Sequence, residues 1–377
     1  MSESSELKPR VRVALLFGGR SGEHAISVVT AAGVMRALDP ARYEVIPIGI
    51  THAGQWVLST GDPEQWQLTA GDMPEVVAES EATIVPSLTI GDGRLRLLEP
   101  GQVPRALSEV DVVFPLLHGP FGEDGTVQGL LELADVRYVG SGVLASALGM
   151  DKHFCKIALQ AHGIPVAPYT VIRDRDWTLD RKGCLDAASA LDLPLFVKPA
   201  RSGSSLGVTR VDDLSALPAA IEAAREHDLK VLVEAGVDGR EIECAVLGGR
   251  DGGLTRASLP GEIVVDSTAH AFYDFEAKYL SADAAQLTCP ADLPDDVVAR
   301  VQNMAVRTFD ALECEGLARV DVFVTSDERV IVNEINTMPG FTPISMFPRM
   351  WAETGLTYPD LLDDLIHQAL SRSTGLR

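Results

Sequence analysis

RVDVFVTSDERVIVNEINTMPG, residues 319–340, is the stretch on which the reading of this chain turns. Apolar residues alternate on both sides of the polar segment 326–329, which predicts two antiparallel strands joined by a short loop. Residues two apart share a face. If Asp321 lies opposite Glu334, the same register sets Arg319 against Asn336 and Phe323 against Val332. Two acids, an amide and a guanidinium then meet in one patch. Opposed carboxylates about 4 Å apart repel by roughly 4 kcal/mol at an effective dielectric near 20, so a positive group is expected between them. Hard oxygen donors of this kind favour magnesium. The competing reading is a solvated strand face with ordinary charges, and Pro339-Gly340 directly after the second strand weighs against it.

The chain has 377 residues, enough for two or three domains. Its 54 acidic and 32 basic residues leave a net charge of −22, which argues against nucleic acid or a membrane surface as the main partner. An anionic substrate therefore requires locally gathered Lys and Arg. The opening MSESSE is polar and no apolar run approaches the length of a bilayer span, so a cytoplasmic protein without membrane insertion is expected. Cysteines 155, 184, 244, 289 and 314 form no close pair and should be reduced thiols.

Strands alternating with helical patterns indicate an α/β architecture. Val11 to Phe17 reads as a strand, followed by the turn GGRSGEH and a helical pattern from Ser27 to Leu38. The turn lacks the glycine spacing of a dinucleotide site. A strand near Tyr43 to Ile50 leads to a polar stretch, about 51–108, in which two short strands, Thr83 to Ile90 and Arg94 to Leu98, resemble an insertion without function. Asp111 to Leu117 is another strand, and it empties into HGPFGEDG, where parallel sheets bind ligands. Domain boundaries are expected near 141 and 238, giving segments 1–140, 141–237 and 238–377. In the middle segment Lys198 interrupts an apolar strand just before the loop ARSGSSLG, whose N–H groups could wrap phosphate oxygens. A buried ammonium needs an anionic partner.

Together the motifs GGRSGEHAIS (18–27), LHGPFGEDG (117–125), FVKPARSGSSLG (196–207), FYDFEAKY (272–279), ARVDVF (318–323) and VNEINTMPGFTPISM (332–346) resemble the ATP-grasp superfamily and, within it, the D-alanine–D-alanine ligases. The resemblance spans nearly the whole chain. It implies a three-domain fold: an N-terminal parallel-sheet domain, a central subdomain and a C-terminal α+β subdomain, with ATP between the last two. It also implies a reaction in which ATP phosphorylates one D-alanine and the amine of a second attacks the acyl phosphate, giving a dipeptide for peptidoglycan. By that resemblance Lys152 and Lys198 contact phosphates, with Ser204, Ser205 and Lys278 also on the nucleotide side. Glu234 and Glu241 hold adenine and ribose. Asp321, Glu334 and Asn336 ligate magnesium, with manganese as a substitute. Arg319 and the Gly340 N–H stabilise the oxyanion. Glu23 takes the ammonium of the first D-alanine and His118 its carboxylate region. Lys278, Ser345 and Met346 line the second substrate's pocket, and Glu23, Ser204 and Tyr279 hydrogen-bond across it under a lid at 270–280. A homodimer is implied too. One departure is visible: the hinge reads Glu234-Ala-Gly-Val237, without the lysine many members carry. Tyr279 argues against an ester-forming D-alanine–D-lactate ligase, and the presence of Arg319, Asp321, Glu334 and Asn336 argues against a regulator that has lost catalysis.

Overall fold

The computed structural model describes residues 9–67, 73–89, 92–265 and 285–374. Near the N-terminus a four-stranded sheet runs in the order Trp56–Leu58, Tyr43–Ile50, Val11–Gly18, Val112–Pro115, with the last three parallel. Val13 to Phe17 are all buried, as a parallel strand covered on both faces requires. The strand ends at Gly18, whose φ of +85° lies in the left-handed region, and a Cβ there would sit 2.4 Å from the Ile50 carbonyl oxygen. Only glycine makes this turn. Helix His24–Ala37 follows.

The insertion contains three strands rather than two: Thr83–Pro86, Arg94–Leu98 and Arg105–Glu109 form an antiparallel sheet. The third, RALSE, has none of the β-branched alternation that would mark it. A further helix, Val143–Met150, lies between the glycine turn at 140–142 and helix Lys152–Ala161. Its sequence, VLASALGM, is too uniformly apolar to show a helical period.

The central sheet is wholly antiparallel, in the order Thr209–Val211, Leu195–Pro199, Val231–Ala235, Tyr169–Ile172. The chain leaves it at Ala235 and enters the C-terminal sheet at Gly239. There Gly239–Leu247 lies beside Leu317–Thr325, which pairs with Val330–Asn336. Helix Asp295–Ala311 covers one face with Val297, Val301, Ala305 and Phe309, a stripe at helical spacing. Helix Tyr358–Ser371 packs back on the N-terminal sheet, so Leu361 and Leu365 share a core with Val13, Leu15 and Phe114.

The hairpin register corrects one expectation. Arg319 faces Asn336 and Asp321 faces Glu334, but the pairing then shifts and Phe323 meets Ile331, not Val332. Asn333 is the extra residue of a β-bulge, which bends the strand just beside the acidic pair. Among the described residues no helix is long and apolar enough to cross a membrane.

His24 gives the N-terminal turn a pH dependence. Its Nδ1 donates to the Gly19 carbonyl at 2.7 Å, so its Nε2 is the acceptor for the Val76 N–H at 2.9 Å. Burial pushes its pKa below the ordinary 6.5. A depressed native pKa means the unfolded chain binds the proton more tightly, so this contribution is complete above 6.5 and is lost as the pH falls through the lower native value. Denaturant unfolding from pH 8 to 5 should show His24→Gln, which retains one donor and one acceptor, losing less stability over that window than the unaltered chain. Parallel curves would remove His24 as the titrating group.

Candidate active site

A cavity of about 390 Å³ opens where the three main sheets converge. Its floor is the hairpin. Arg319 is only 7% exposed, and its Nε and Nη2 each donate to one oxygen of Asp321 at 2.7 Å. Glu243, opposite Asp321 on the neighbouring strand, approaches Arg319 Nε at 3.2 Å. Burial alone would lower the Arg319 pKa, but Asp321 and Glu243 outweigh it and hold the guanidinium charged. Asn336 Nδ2 donates to Asp321 Oδ2 at 3.0 Å. The bulge lets the consecutive residues Asn333 and Glu334 both line the cavity.

Glu334 is partly buried, and desolvation by itself would raise its pKa; Lys152, Lys198 and Arg319 together overcome this and keep it ionised. Lys152 Nζ lies 3.3 Å from Glu334 and donates to the Ser202 carbonyl at 2.8 Å. That lysine opens a helix whose N-cap, Asp151, accepts from the His153 and Phe154 N–H groups and pairs with Lys230 at 2.7 Å. Burial, then Asp321 and Glu334, push Glu241 upward. Each of the opposed acids thus has its own cation, Arg319 on Asp321 and Lys152 on Glu334.

Among the described residues no three His, Cys, Asp or Glu side chains stand together as a ready metal cluster. The chemistry of the donors nevertheless suits a hard divalent cation: Asp321, Glu334 and the Asn336 amide lie on paired strands and line one cavity.

On the central sheet, Lys198 Nζ meets Glu234 at 2.5 Å, which supplies the anionic partner its place in an apolar strand demanded. Lys156 reaches the other oxygen of Glu234 at 2.9 Å. Burial would raise the Glu234 pKa, but Lys198 and Lys156 lower it further than burial lifts it. Ser204 and Ser205 have φ of +49° and +57° in the loop after Lys198, and both line the cavity, as do Glu241 and the hinge residues Ala235, Gly236 and Val237.

The third wall comes from the N-terminal loops. Ser204 Oγ donates to Glu23 Oε1 at 2.5 Å. His118 Nδ1 donates to the Met338 carbonyl at 2.9 Å. Glu123 accepts from the Met338 N–H at 3.1 Å and the Gly119 N–H at 2.7 Å. Burial, then the charge of Glu23, push Glu123 up to about 8. Pro339 and Gly340 complete this side.

Two further expected residues are not among the described residues that line this cavity. Met346 is 6% exposed and belongs to the core shared with Phe347 and Trp351, where apolar helix packing claims it. Ser345 Oγ is engaged by the Thr342 N–H at 3.1 Å and by Thr342 Oγ1 at 2.7 Å. Neither lines this cavity. Lys278, Tyr279 and the proposed lid at 270–280 fall outside the described residues. Sequence reasoning missed Lys156, Glu243 and Glu123. The first has a legible signal, its place four residues after Lys152 on one helix face.

The chain is similar to known proteins along nearly its whole length. The family description "D-ala D-ala ligase N-terminus" matches residues 12–141, and "D-ala D-ala ligase C-terminus" matches residues 158–367. A protein of Pseudarthrobacter chlorophenolicus named D-alanine–D-alanine ligase is 58% identical, covering 98% of this chain and 97% of its own. One of the same name from Paenarthrobacter aurescens is 57% identical over 99% of each. The solved D-alanine–D-alanine ligase of Coxiella burnetii superposes with a TM-score of 0.77 at 36% identity, over 96% of this chain and 94% of that one. The VanG D-Ala:D-Ser ligase of Enterococcus faecalis gives 0.81 at 35% identity, over 96% and 100%. With both family regions matched and more than half of its residues shared with such relatives, the chain belongs to the D-alanine–D-alanine ligase family and has its ATP-grasp fold.

Proposed function

We propose that this chain is an ATP-dependent ligase that joins two D-alanine molecules into D-alanyl-D-alanine for peptidoglycan precursor synthesis, in the cytoplasm and as a homodimer. The observation that carries the reading is that one cavity brings Glu23, Lys152, Lys198, Arg319, Asp321, Glu334 and Asn336 together from three sheets. Such a site holds an amino acid at one end and a polyphosphate at the other.

In the first step a carboxylate oxygen of one D-alanine bonds to the γ-phosphorus of ATP, and ADP leaves. Glu23 accepts the ammonium of this D-alanine, and His118 faces its carboxylate region. Lys152 and Lys198 neutralise phosphate oxygens, while Ser204 and Ser205 present the loop's polar groups and Glu234 and Glu241 hold adenine and ribose. Magnesium, or manganese in its place, held by Asp321, Glu334 and Asn336, supplies charge neutralisation at the phosphates. In the second step the free amine of another D-alanine attacks the acyl carbon, phosphate departs and the amine loses its proton. Arg319 and the Gly340 N–H receive the oxyanion. Lys278, Tyr279 and Ser345 are assigned to the second substrate's side, and Ser204 is bonded to Glu23 beside it. Exclusion of water from the acyl phosphate is the role assigned to 270–280.

D-Alanine-dependent release of phosphate from ATP, with dipeptide as product, tests the reading directly; ATP turnover indifferent to D-alanine would overturn it. Sedimentation of the purified chain checks the dimer. Glu334→Gln removes a ligand charge that matters most as phosphate charge moves, so kcat should fall at least ~10²-fold while ATP still binds. Near-normal turnover at saturating magnesium would refute the metal assignment.

Arg319→Lys tests the oxyanion role separately. The ammonium keeps the charge but loses the planar fork that grips Asp321 and aims the remaining N–H. Turnover should drop by about 10²-fold with ATP affinity nearly unchanged. A variant that unfolds at the denaturant midpoint of the unaltered chain, yet turns over within about threefold of it, would confine Arg319 to holding Asp321.

A further inference from the structure

Lys156 is a buried charge for which the reaction above has no use. It is 1% exposed, and its ammonium stands 2.9 Å from Glu234 Oε1, with the Tyr169 ring 5.8 Å away. Glu234, 4% exposed, therefore carries two lysines, one on each oxygen. The two differ in their access to the cavity. Lys198 lines it, on the strand that runs into the glycine-serine loop, whereas Lys156 is absent from its walls and approaches Glu234 from behind, off helix Lys152–Ala161. Lys198 pairs across the strands with Leu232, two residues from Glu234 on the same face, so a change of side-chain torsion is enough to turn its ammonium between the carboxylate and the cavity.

This geometry poses an electrostatic problem. If Lys198 turns to a phosphate, it abandons a buried carboxylate, and removing one partner of a buried ion pair is strongly unfavourable. A second lysine that cannot leave solves it. We propose, on the reading of this cavity as a nucleotide site, that Lys156 is a positioning residue: a permanent counter-ion that keeps Glu234 paired and oriented when Lys198 turns from it to the nucleotide's phosphates. Burial of Lys156 then has a functional reason, because a cation excluded from the cavity cannot be drawn off by the same phosphates.

A double-mutant cycle with Lys156→Met and Glu234→Gln tests this, read by calorimetric titration of magnesium-ATP together with KM for ATP and for D-alanine. Lys156→Met ties Lys198 to Glu234, so ATP should bind at least about tenfold more weakly, while KM for D-alanine stays within about twofold. In the Glu234→Gln background no carboxylate needs a counter-ion, and adding Lys156→Met should change ATP affinity by less than about twofold. Equal losses in both backgrounds, or none in either, would overturn the proposal and make Lys156 a packing residue. If Lys156→Met alone fails to fold, the double variant decides: it should fold and match Glu234→Gln in ATP affinity, and its failure to do either overturns the proposal. An unaltered chain that binds no ATP would sink the nucleotide site itself, and this inference with it; normal binding there with equal losses in the cycle sinks this inference alone.

Discussion

A charged guanidinium sits in the wall between the strands of the C-terminal sheet, and much of the site follows from the need to keep it paired. Arg319 is held in a fork by Asp321, with Glu243 beside it and Asn336 bonded to the same carboxylate. Leaving one partner of such a buried pair unmatched costs about 3–5 kcal/mol, so the group is either complete or ruinous. Completeness requires the hairpin register, because a slip of one residue would turn Asp321 to the opposite face. The bulge at Asn333 allows the acidic pair to stay opposed while the apolar ladder beyond it pairs on a different count. An opposed acidic pair and a well-packed apolar ladder are thereby reconciled in one strand pair.

The same logic extends to the helix that begins at Lys152. One face sends Lys152 to Glu334 and, a turn later, Lys156 to Glu234, so a single rigid element supplies a cation to each of two carboxylates facing the cavity from different sheets. Its position is itself secured electrostatically, through Asp151 as N-cap and Lys230 as that carboxylate's partner, with Lys230 also resting over the Phe154 ring at 4.3 Å. The Lys152 N–H bonds the Ala200 carbonyl at 2.9 Å, which ties the helix start to the strand entering the glycine-serine loop. With 54 acids against 32 bases in the chain, this local gathering of lysines is what makes an anionic substrate acceptable at all.

Much of this was legible in the sequence because the signals are local. Alternation around 326–329 gave the hairpin and the facing of Asp321 and Glu334; an out-of-place Lys198 announced an anionic partner, which proved to be Glu234. What was not legible depends on packing between distant segments. No local pattern marks an extra residue at 333, since a bulge preserves composition while shifting register. Glu243 reads as an ordinary strand residue until Leu317–Thr325 is laid beside it. That Met346 shares a core with Phe347 and Trp351 at the start of helix Met346–Glu353 is likewise settled by packing with distant segments. The strand Arg105–Glu109 is held by its neighbour rather than by its own propensity.

The Met338 peptide shows how the N-terminal sheet takes part in chemistry built mainly by the other two. Its N–H is held by Glu123 and its carbonyl by His118, both from the loop after strand Val112–Pro115. The N–H and the C=O of Met338 belong to successive peptide units, so both planes flanking its Cα are held, and Pro339 restricts the torsion that follows on the way to Gly340. Glu123 meets this demand under strain of charge: burial and Glu23 both favour its protonated form, while the two backbone N–H donors favour the ionised one. The loop that carries His118 and Glu123 is therefore mechanically continuous with the segment that leads to Gly340, and a displacement of the N-terminal sheet would move both together.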